Sequence, residues 1–217
     1  MRCCIVRHGE TPWNAERRLQ GHQDIPLNAL GVRQAQAAAR HLARCHLASP
    51  FHAVVSSDLQ RAWQTAAAIG QLLSLPVQEE PALRERHYGD FEGKTPDEAR
   101  LFNAAAYESL VSRDSLSTEP GRAESLDSMV NRLESCLRQL VEKHPEQSII
   151  LVTHGGVLDI LYRRAMGRAL TGPRDRPIPN AGLNWLELTV AGEQLCWAML
   201  SWGETTHLED ASRDEIL

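Results

Sequence analysis

Two short apolar runs of the chain each stop at a histidine followed by a glycine, and this pattern limits the fold more than any other feature. The run Cys3–Val6 leads to His8, and the run Ile149–Val152 leads to His154. Short continuous apolar runs are typical of strands that are buried on both faces of a sheet. The sequence therefore predicts two buried strands whose carboxyl ends each carry a histidine.

Helical patterns alternate with the apolar runs along the chain. The clearest one has apolar residues at steps of three and four between Leu126 and Val141, which indicates an amphipathic helix. Thr95 and Pro96 are placed to cap and start another helix. Further predicted elements are strands at 51–55 and 76–80, helices at 28–47, 95–111 and 157–166, a helix that ends near residue 73, and a β-hairpin from 183–190 and 195–200.

Alternating strands and helices predict an α/β fold with a mainly parallel central sheet, helices on both faces and a C-terminal β-hairpin. Right-handed crossovers bring the carboxyl ends of parallel strands to one edge, which is where ligands bind in sheets of this kind. We therefore predict a single domain over residues 1–217, with a functional site at the edge that holds both histidines.

The composition argues against several classes of partner. With 23 Lys and Arg against 28 Asp and Glu, the net charge is −5, and the absence of a basic stripe argues against nucleic acid. No run approaches the ~20 apolar residues that span a membrane, and the first residues lack a signal-peptide core. The five cysteines are scattered, without the spacing of a zinc site, and we interpret them as buried or half-buried thiols in a reducing compartment. We expect a cytoplasmic protein without a nucleic-acid or membrane partner.

A histidine at a strand end can be a metal ligand, a general base or a nucleophile. Next to His8, the charge of Arg7 disfavours a metal, because two cations ~4 Å apart repel by about 4 kcal/mol at an effective dielectric of ~20. The same arginine favours an anion such as phosphate and keeps the histidine neutral, which leaves a ring nitrogen able to attack phosphorus. Gly9 and Gly155 allow backbone N–H groups to approach that anion closely. These features together favour phosphoryl transfer through a phosphohistidine.

Four sequence blocks resemble the histidine phosphatase superfamily, which includes the cofactor-dependent phosphoglycerate mutases and many small phosphatases. The blocks are RHGETPWN (7–14), SSDLQRAWQTA (56–66), LRERHYGDFEG (83–93) and THGG (153–156), in the order of the family. The stretch GDFEGKTPDEA (89–99) looks most like the broad-specificity phosphatases. The resemblance implies a phosphoglycerate mutase-like fold with a helical and loop excursion at about 95–125 over the site.

The resemblance also implies a reaction. His8 would be the nucleophile that becomes phosphorylated. Glu85 would protonate the leaving oxygen and then activate the water that hydrolyses the phosphohistidine, and Asp90 and Glu92 stay open as alternative acids.

Positive charge would come from the protein itself. Arg7, Arg61 and His154 would bind the phosphoryl oxygens and stabilise the transition state, so that neither a metal nor another cofactor is expected. Further phosphate or substrate contacts are expected at Asn14, Gln20, Gly21 and Gly155.

The expected function is a metal-independent phosphomonoester phosphatase that acts on a small phosphorylated metabolite. The main competing function is that of a phosphoglycerate mutase, which the short excursion and the isolated Arg100, Arg113 and Arg122 disfavour. The functions of a phosphoprotein phosphatase and of a non-catalytic regulatory binder also stay open. A homodimer is one option for the assembly. The tail around His207 resembles the end of some small phosphatases in the family and would close over the site.

Overall fold

The computed structural model describes residues 1–113, 120–174, 176–192 and 194–209. Strands and helices alternate along these segments, as the sequence predicts. In chain order the elements are β1 (Arg2–Arg7), α1 (Pro12–Ala15), α2 (Ala29–Ala48), β2 (Ala53–Ser56), α3 (Gln60–Leu73), β3 (Val77–Glu79), α4 (Pro96–Ser112), α5 (Leu126–Lys143), β4 (Ser148–Thr153), α6 (Gly155–Ala165), β5 (Leu183–Ala191) and β6 (Gln194–Glu204).

The strands form one sheet in the order β3-β2-β4-β1-β5-β6. The strands β3, β2, β4 and β1 are parallel to one another, whereas β5 pairs antiparallel with β1 and with β6. Both the parallel centre and the C-terminal hairpin were predicted, and both are confirmed. In the β1–β4 register Arg7 lies opposite Thr153, so His8 and His154 leave the sheet side by side.

Each face of the sheet carries its own core, because successive side chains of a strand point to opposite faces. Cys3 packs with residues of α5 and α6, whereas Cys4 packs with residues of α2 and α3. Helices on both faces were predicted and are confirmed. The sheet therefore holds the carboxyl ends of its strands rigidly between two helical layers.

The excursion after β3 has a smaller core of its own. Thr95 closes a capping box with Glu98 at the start of α4, as the Thr-Pro pair predicts. Asn103, with extended backbone angles, interrupts α4. Phe91, Tyr107 and their neighbours form the small core. Of the loop predicted at 113–122, residues 114–119 lie outside the described part of the chain.

Several local predictions need correction. Helix α1 was not predicted, although Thr11 and Asn14 close a capping box around Pro12. Helix α6 begins at Gly155, two residues before the predicted start. Cys196 was expected to be buried or half-buried and is exposed, because it lies on β6 at the edge of the sheet. In the predicted hairpin turn, residue 193 lies outside the described residues.

None of the described helices is long and apolar enough to cross a membrane. The single-domain organisation, the homodimer and the cytoplasmic location stay predictions.

Candidate active site

His8 follows β1 directly and its backbone fixes it to the neighbouring strand, with its N–H donating to the carbonyl of Thr153 over 2.9 Å. The side chain is 2% exposed, and its Nδ1 lies 2.7 Å from the carbonyl oxygen of Gly9. Since a carbonyl oxygen only accepts, Nδ1 carries the proton and Nε2 keeps its lone pair. Burial, and then the charges of Arg61 and Arg7, hold the pKa of His8 well below its ordinary value. His8 is therefore a neutral imidazole with a nucleophilic nitrogen.

Arg7 presents a buried donor that the fold leaves without a partner. Its Nη1 donates to the carbonyl of Ile178, while its buried Nε has no hydrogen-bond partner among the described residues. Burial, and then the nearby charge of Arg174, lower the pKa of Arg7 to about 10, so it is still a cation at neutral pH. A buried N–H without an acceptor costs about 1–3 kcal/mol. An anion bound beside His8 would remove that cost.

Arg61 is the second cation, and it is fully buried at the start of α3. Its Nη2 and Nη1 donate to the carbonyls of Gly21 (2.7 Å) and Gln23 (2.8 Å). Its Nε donates to Nδ1 of His154 over 3.2 Å. Three fixed bonds to neutral acceptors hold the guanidinium group in one orientation without cancelling its charge.

His154 is the N-cap residue of α6, and its ring lies 5.2 Å from the ring of His8. Because Nδ1 accepts from Arg61, Nε2 carries the proton and donates to Oγ of Ser57 over 2.8 Å. Burial, and then the charge of Arg61, hold the pKa of His154 well below its ordinary value. His154 thus orients Arg61 in this arrangement, and its direct contact with phosphoryl oxygens stays a prediction.

Glu85 is 8% exposed and enters the same cavity from the loop after β3. Its two oxygens accept the backbone N–H groups of Arg86 (2.8 Å) and Gly156 (2.9 Å). Arg132 of α5 donates to the carbonyls of three loop residues, Ala82, Arg84 and Glu85. The first turn of α6 therefore holds the carboxyl group, and α5 holds the backbone of the loop that carries it.

The two alternative acids have different partners. Asp90 pairs with Arg122. Glu92 accepts the backbone N–H groups of His22 and Tyr88 at 2.9 and 3.0 Å. Glu85 is the acid that lines the cavity.

The remaining predicted contacts surround the same space. Asn14 is held by the capping box of α1 and by the side chain of Asn180, which also donates to the carbonyl of His8 over 3.0 Å. Gln20 accepts from the hydroxyl of Thr11. Gly21 has a φ of +53°, a left-handed conformation that glycine adopts readily.

These residues enclose a cavity of about 120 Å³ at the carboxyl edge of the sheet. Eight of the nine predicted site residues line it, and the ninth, His154, is buried with its ring 5.2 Å from that of His8. Four lining residues were not predicted. Tyr88 is in the quoted LRERHYGDFEG block, and Arg18 and Leu19 directly precede the predicted contacts Gln20 and Gly21. Arg174 comes from the loop after α6.

A second cavity of about 340 Å³ adjoins the first, because Tyr88 and Arg174 line both. Its wall contains the cations Arg86, Arg113 and Arg174. Burial, and then the charge of Glu85, raise the pKa of Tyr88 to about 12, so its hydroxyl keeps its proton at neutral pH and can donate a hydrogen bond. Apolar side chains complete the wall: Leu19, Leu110, Val111, Leu126, Met129 and Ile160.

His207 has a supporting position. It is buried, and its Nε2 donates to the carbonyl of Ala181 over 3.0 Å. Ala181 in turn donates its N–H to the carbonyls of Arg7 and His8. The described part of the tail therefore braces the segment that carries the nucleophile, and closure of the tail over the site stays a prediction.

The sequence profile of the histidine phosphatase superfamily (branch 1) matches residues 3–204. The chain belongs to the histidine phosphatase superfamily.

Two plant proteins and one bacterial structure represent the relatives of this histidine phosphatase. Phosphoglycerate mutase-like protein 4 of Arabidopsis thaliana is 40% identical over 207 residues, which are 95% of this chain and 86% of that protein. The metal-independent phosphoserine phosphatase of the same plant is 37% identical over 205 residues, with 94% and 82% covered. The structure of mycobacterial glucosyl-3-phosphoglycerate phosphatase with VO3 has a TM-score of 0.80 at 29% identity, covering 94% of this chain and 99% of that one. Membership and the phosphatase relatives make the chain a phosphoric monoester hydrolase, which was the predicted enzyme class.

Proposed function

We propose that this histidine phosphatase hydrolyses small phosphomonoesters without a metal, through a phosphohistidine on His8. One observation supports this proposal above all others. The free Nε2 of a neutral His8 and the unpartnered Nε of Arg7 face one small cavity, and Arg61 adds a second fixed cation. A nucleophile and two cations at one cavity match the needs of a phosphoryl group in transfer.

In the first step, Nε2 of His8 forms a bond to phosphorus and the bond from phosphorus to the ester oxygen breaks. Glu85 gives its proton to that oxygen, so the leaving group departs as a neutral alcohol. Arg7 and Arg61 stabilise the charge on the phosphoryl oxygens. The backbone N–H of Gly155, in the first turn of α6, adds the positive end of a helix dipole.

In the second step, water replaces the alcohol. Glu85, now a carboxylate, takes a proton from the water while the oxygen of that water bonds to phosphorus. The bond from phosphorus to Nε2 breaks, and phosphate leaves. His8 returns to the neutral form whose Nδ1–H donates to the carbonyl of Gly9.

The leaving group of the substrate occupies the 340 Å³ cavity. Its apolar wall suits a carbon skeleton, and its arginines suit a second acidic group on that skeleton. Arg86 is 5% exposed, its Nε donates to the carbonyl of Glu124, and it forms no ion pair with a carboxylate of the described residues. The relatives named for phosphoserine and for glucosyl-3-phosphoglycerate act on acidic phosphomonoesters of this type. We therefore propose carboxylated phosphomonoesters as the substrate class.

The decisive test is hydrolysis of 4-nitrophenyl phosphate in the presence of EDTA. The wild-type enzyme should be active, and His8→Ala should be inactive. Rapidly quenched enzyme should carry phosphate in an acid-labile, base-stable linkage on His8. Label on a serine, or activity that EDTA abolishes, would contradict the proposal.

Phosphoglycerate mutase activity is the second candidate, because one of the relatives is named a phosphoglycerate mutase-like protein. An assay with 3-phosphoglycerate, with and without 2,3-bisphosphoglycerate, distinguishes the two. We expect release of phosphate to exceed isomerisation. Sustained isomerisation that is faster than phosphate release would favour the mutase.

A further inference from the structure

Asp159 is a buried carboxylate that the reaction steps above do not use. It lies in the second turn of α6, the helix that begins at the phosphoryl cavity, and it is 2% exposed. A buried acid is costly unless cations and hydrogen bonds compensate for its lost hydration. Its partners therefore show what it stabilises.

Three arginines from three segments converge on this carboxylate. Arg163 of α6 donates through Nε over 3.0 Å. Arg113, the residue that follows α4, forms a short ion pair with the same oxygen. Arg174, in the loop after α6, has its Nε 3.7 Å from the other oxygen. Burial alone would raise the pKa of Asp159, but Arg113, Arg174 and Arg163 hold it below the ordinary value, so the group is an anion at neutral pH.

The three arginines differ in what else they contact. Arg163 is tied down further by the carbonyls of Ala169, Thr171, Gly172 and Pro173, so its position does not depend on Asp159 alone. Arg113 and Arg174 both line the 340 Å³ cavity, and Arg174 also lines the phosphoryl cavity.

Arg113 and Arg174 stand outside regular secondary structure. Arg113 has a left-handed φ of +51° at the end of α4. Without a shared anion, two like charges at one cavity wall would repel each other and turn toward solvent. The carboxylate of Asp159 compensates for this repulsion from behind the wall, where a substrate does not reach it.

We propose that Asp159 is a positioning residue for the phosphatase reaction, whose carboxylate holds Arg113 and Arg174 where they contact the leaving group and the phosphoryl group. This inference rests on the proposed function, because the two arginines act on catalysis only when a phosphomonoester fills both cavities. Asp159 acts through these arginines and makes no contact with the substrate itself.

The test is a double-mutant cycle on kcat/KM for 4-carboxyphenyl phosphate. The variants are Asp159→Asn, the pair Arg113→Met with Arg174→Met, and the triple variant that combines them. Methionine keeps an apolar stem similar to that of arginine. The matched control is Glu134→Gln, which breaks the 2.6 Å ion pair between Glu134 of α5 and Arg164 of α6, the helix that also carries Asp159.

We expect Asp159→Asn to lower kcat/KM about tenfold in the wild type and less than about twofold in the background without the two arginines. The control should keep the wild-type kcat/KM. Equal losses in both backgrounds would show that Asp159 acts on the whole fold, and would overturn the inference. Thermal unfolding of every variant is measured as well, to show that each is folded at the temperature of the activity assay.

Two outcomes call for a second measurement. If Asp159→Asn does not fold, the single variants Arg113→Met and Arg174→Met replace it, since these side chains are 12% and 36% exposed. Full activity in both singles would overturn the inference. If the wild type hydrolyses no phosphomonoester, the proposed function fails, and the same cycle is then measured on the affinity for orthovanadate. In that case, the inference would also be overturned if Asp159→Asn lowered the affinity for orthovanadate by the same factor with and without the two arginines.

Discussion

Replacing Glu85 with glutamine should separate the role of its proton from the role of its hydrogen bonds. The side chain accepts two backbone N–H groups, those of Arg86 at 2.8 Å and Gly156 at 2.9 Å. Glutamine keeps one acceptor oxygen and turns an NH2 group toward the other donor. One buried N–H then loses its partner, which costs about 1–3 kcal/mol. A domain with a free energy of unfolding of about 5–15 kcal/mol stays folded after this loss.

The effect on activity should depend on the leaving group. An alkyl phosphate must receive a proton as it leaves, so loss of the acid should lower its kcat/KM by about 10²–10⁴-fold. 4-Nitrophenolate leaves readily without a proton, and its kcat/KM should fall less than about tenfold, because general acid catalysis contributes little there. Both substrates should be assayed at the same pH and at a temperature well below the melting temperature of the variant.

Glu92→Gln is the matched control. Glu92 also accepts two backbone N–H groups, from His22 and Tyr88, but both bond to its Oε1, which a glutamine oxygen can replace, so its replacement should cost no more stability than that of Glu85. It should leave the ratio between the two substrates unchanged. Equal losses for alkyl and aryl phosphates in Glu85→Gln, or the same selective loss in Glu92→Gln, would refute the assignment of Glu85 as the acid.

Three other predictions follow from the geometry. In Gly156→Ala, a Cβ would collide with the carboxylate of Glu85, so kcat/KM for alkyl phosphates should fall about 10²-fold, and an unchanged value would contradict the close approach. The pKa values of His8 and His154 are lowered in the folded protein, so near pH 6.5 these histidines bind protons in the unfolded chain but not in the folded protein. The contribution of these two histidines to stability is therefore complete above that pH and falls below it, by about 1 kcal/mol per histidine between pH 6.5 and 5.5. Urea unfolding of His8→Asn over this range should show a loss of stability about 1 kcal/mol smaller than that of the wild type. A thiol reagent should modify the exposed Cys196 in the native protein, and reaction of the buried cysteines before unfolding would contradict the described cores. The buried cysteines are Cys3, Cys4 and Cys136.

The sequence by itself determined the sheet and the centre of the site. Apolar runs that end in polar residues predict buried parallel strands, and parallel strands bring their carboxyl ends together. The positions of His8 and His154 follow from this rule alone. Glu85 and Arg61 came from the resemblance of their blocks to a family, since a charged residue in a charged run has no local signal of its own.

Only the tertiary structure decided what surrounds that centre. The tautomer of His8 depends on the carbonyl of Gly9, and the orientation of Arg61 depends on Gly21 and His154, contacts that no local pattern encodes. Arg174 reaches the site from a loop that has neither periodicity nor a cap to place it. Asp159 looks like an ordinary helix residue until the fold brings Arg113, Arg163 and Arg174 to it. Strand ends follow from short-range patterns, whereas loops and buried charges are placed by partners far away along the chain, and those partners meet only when the chain folds.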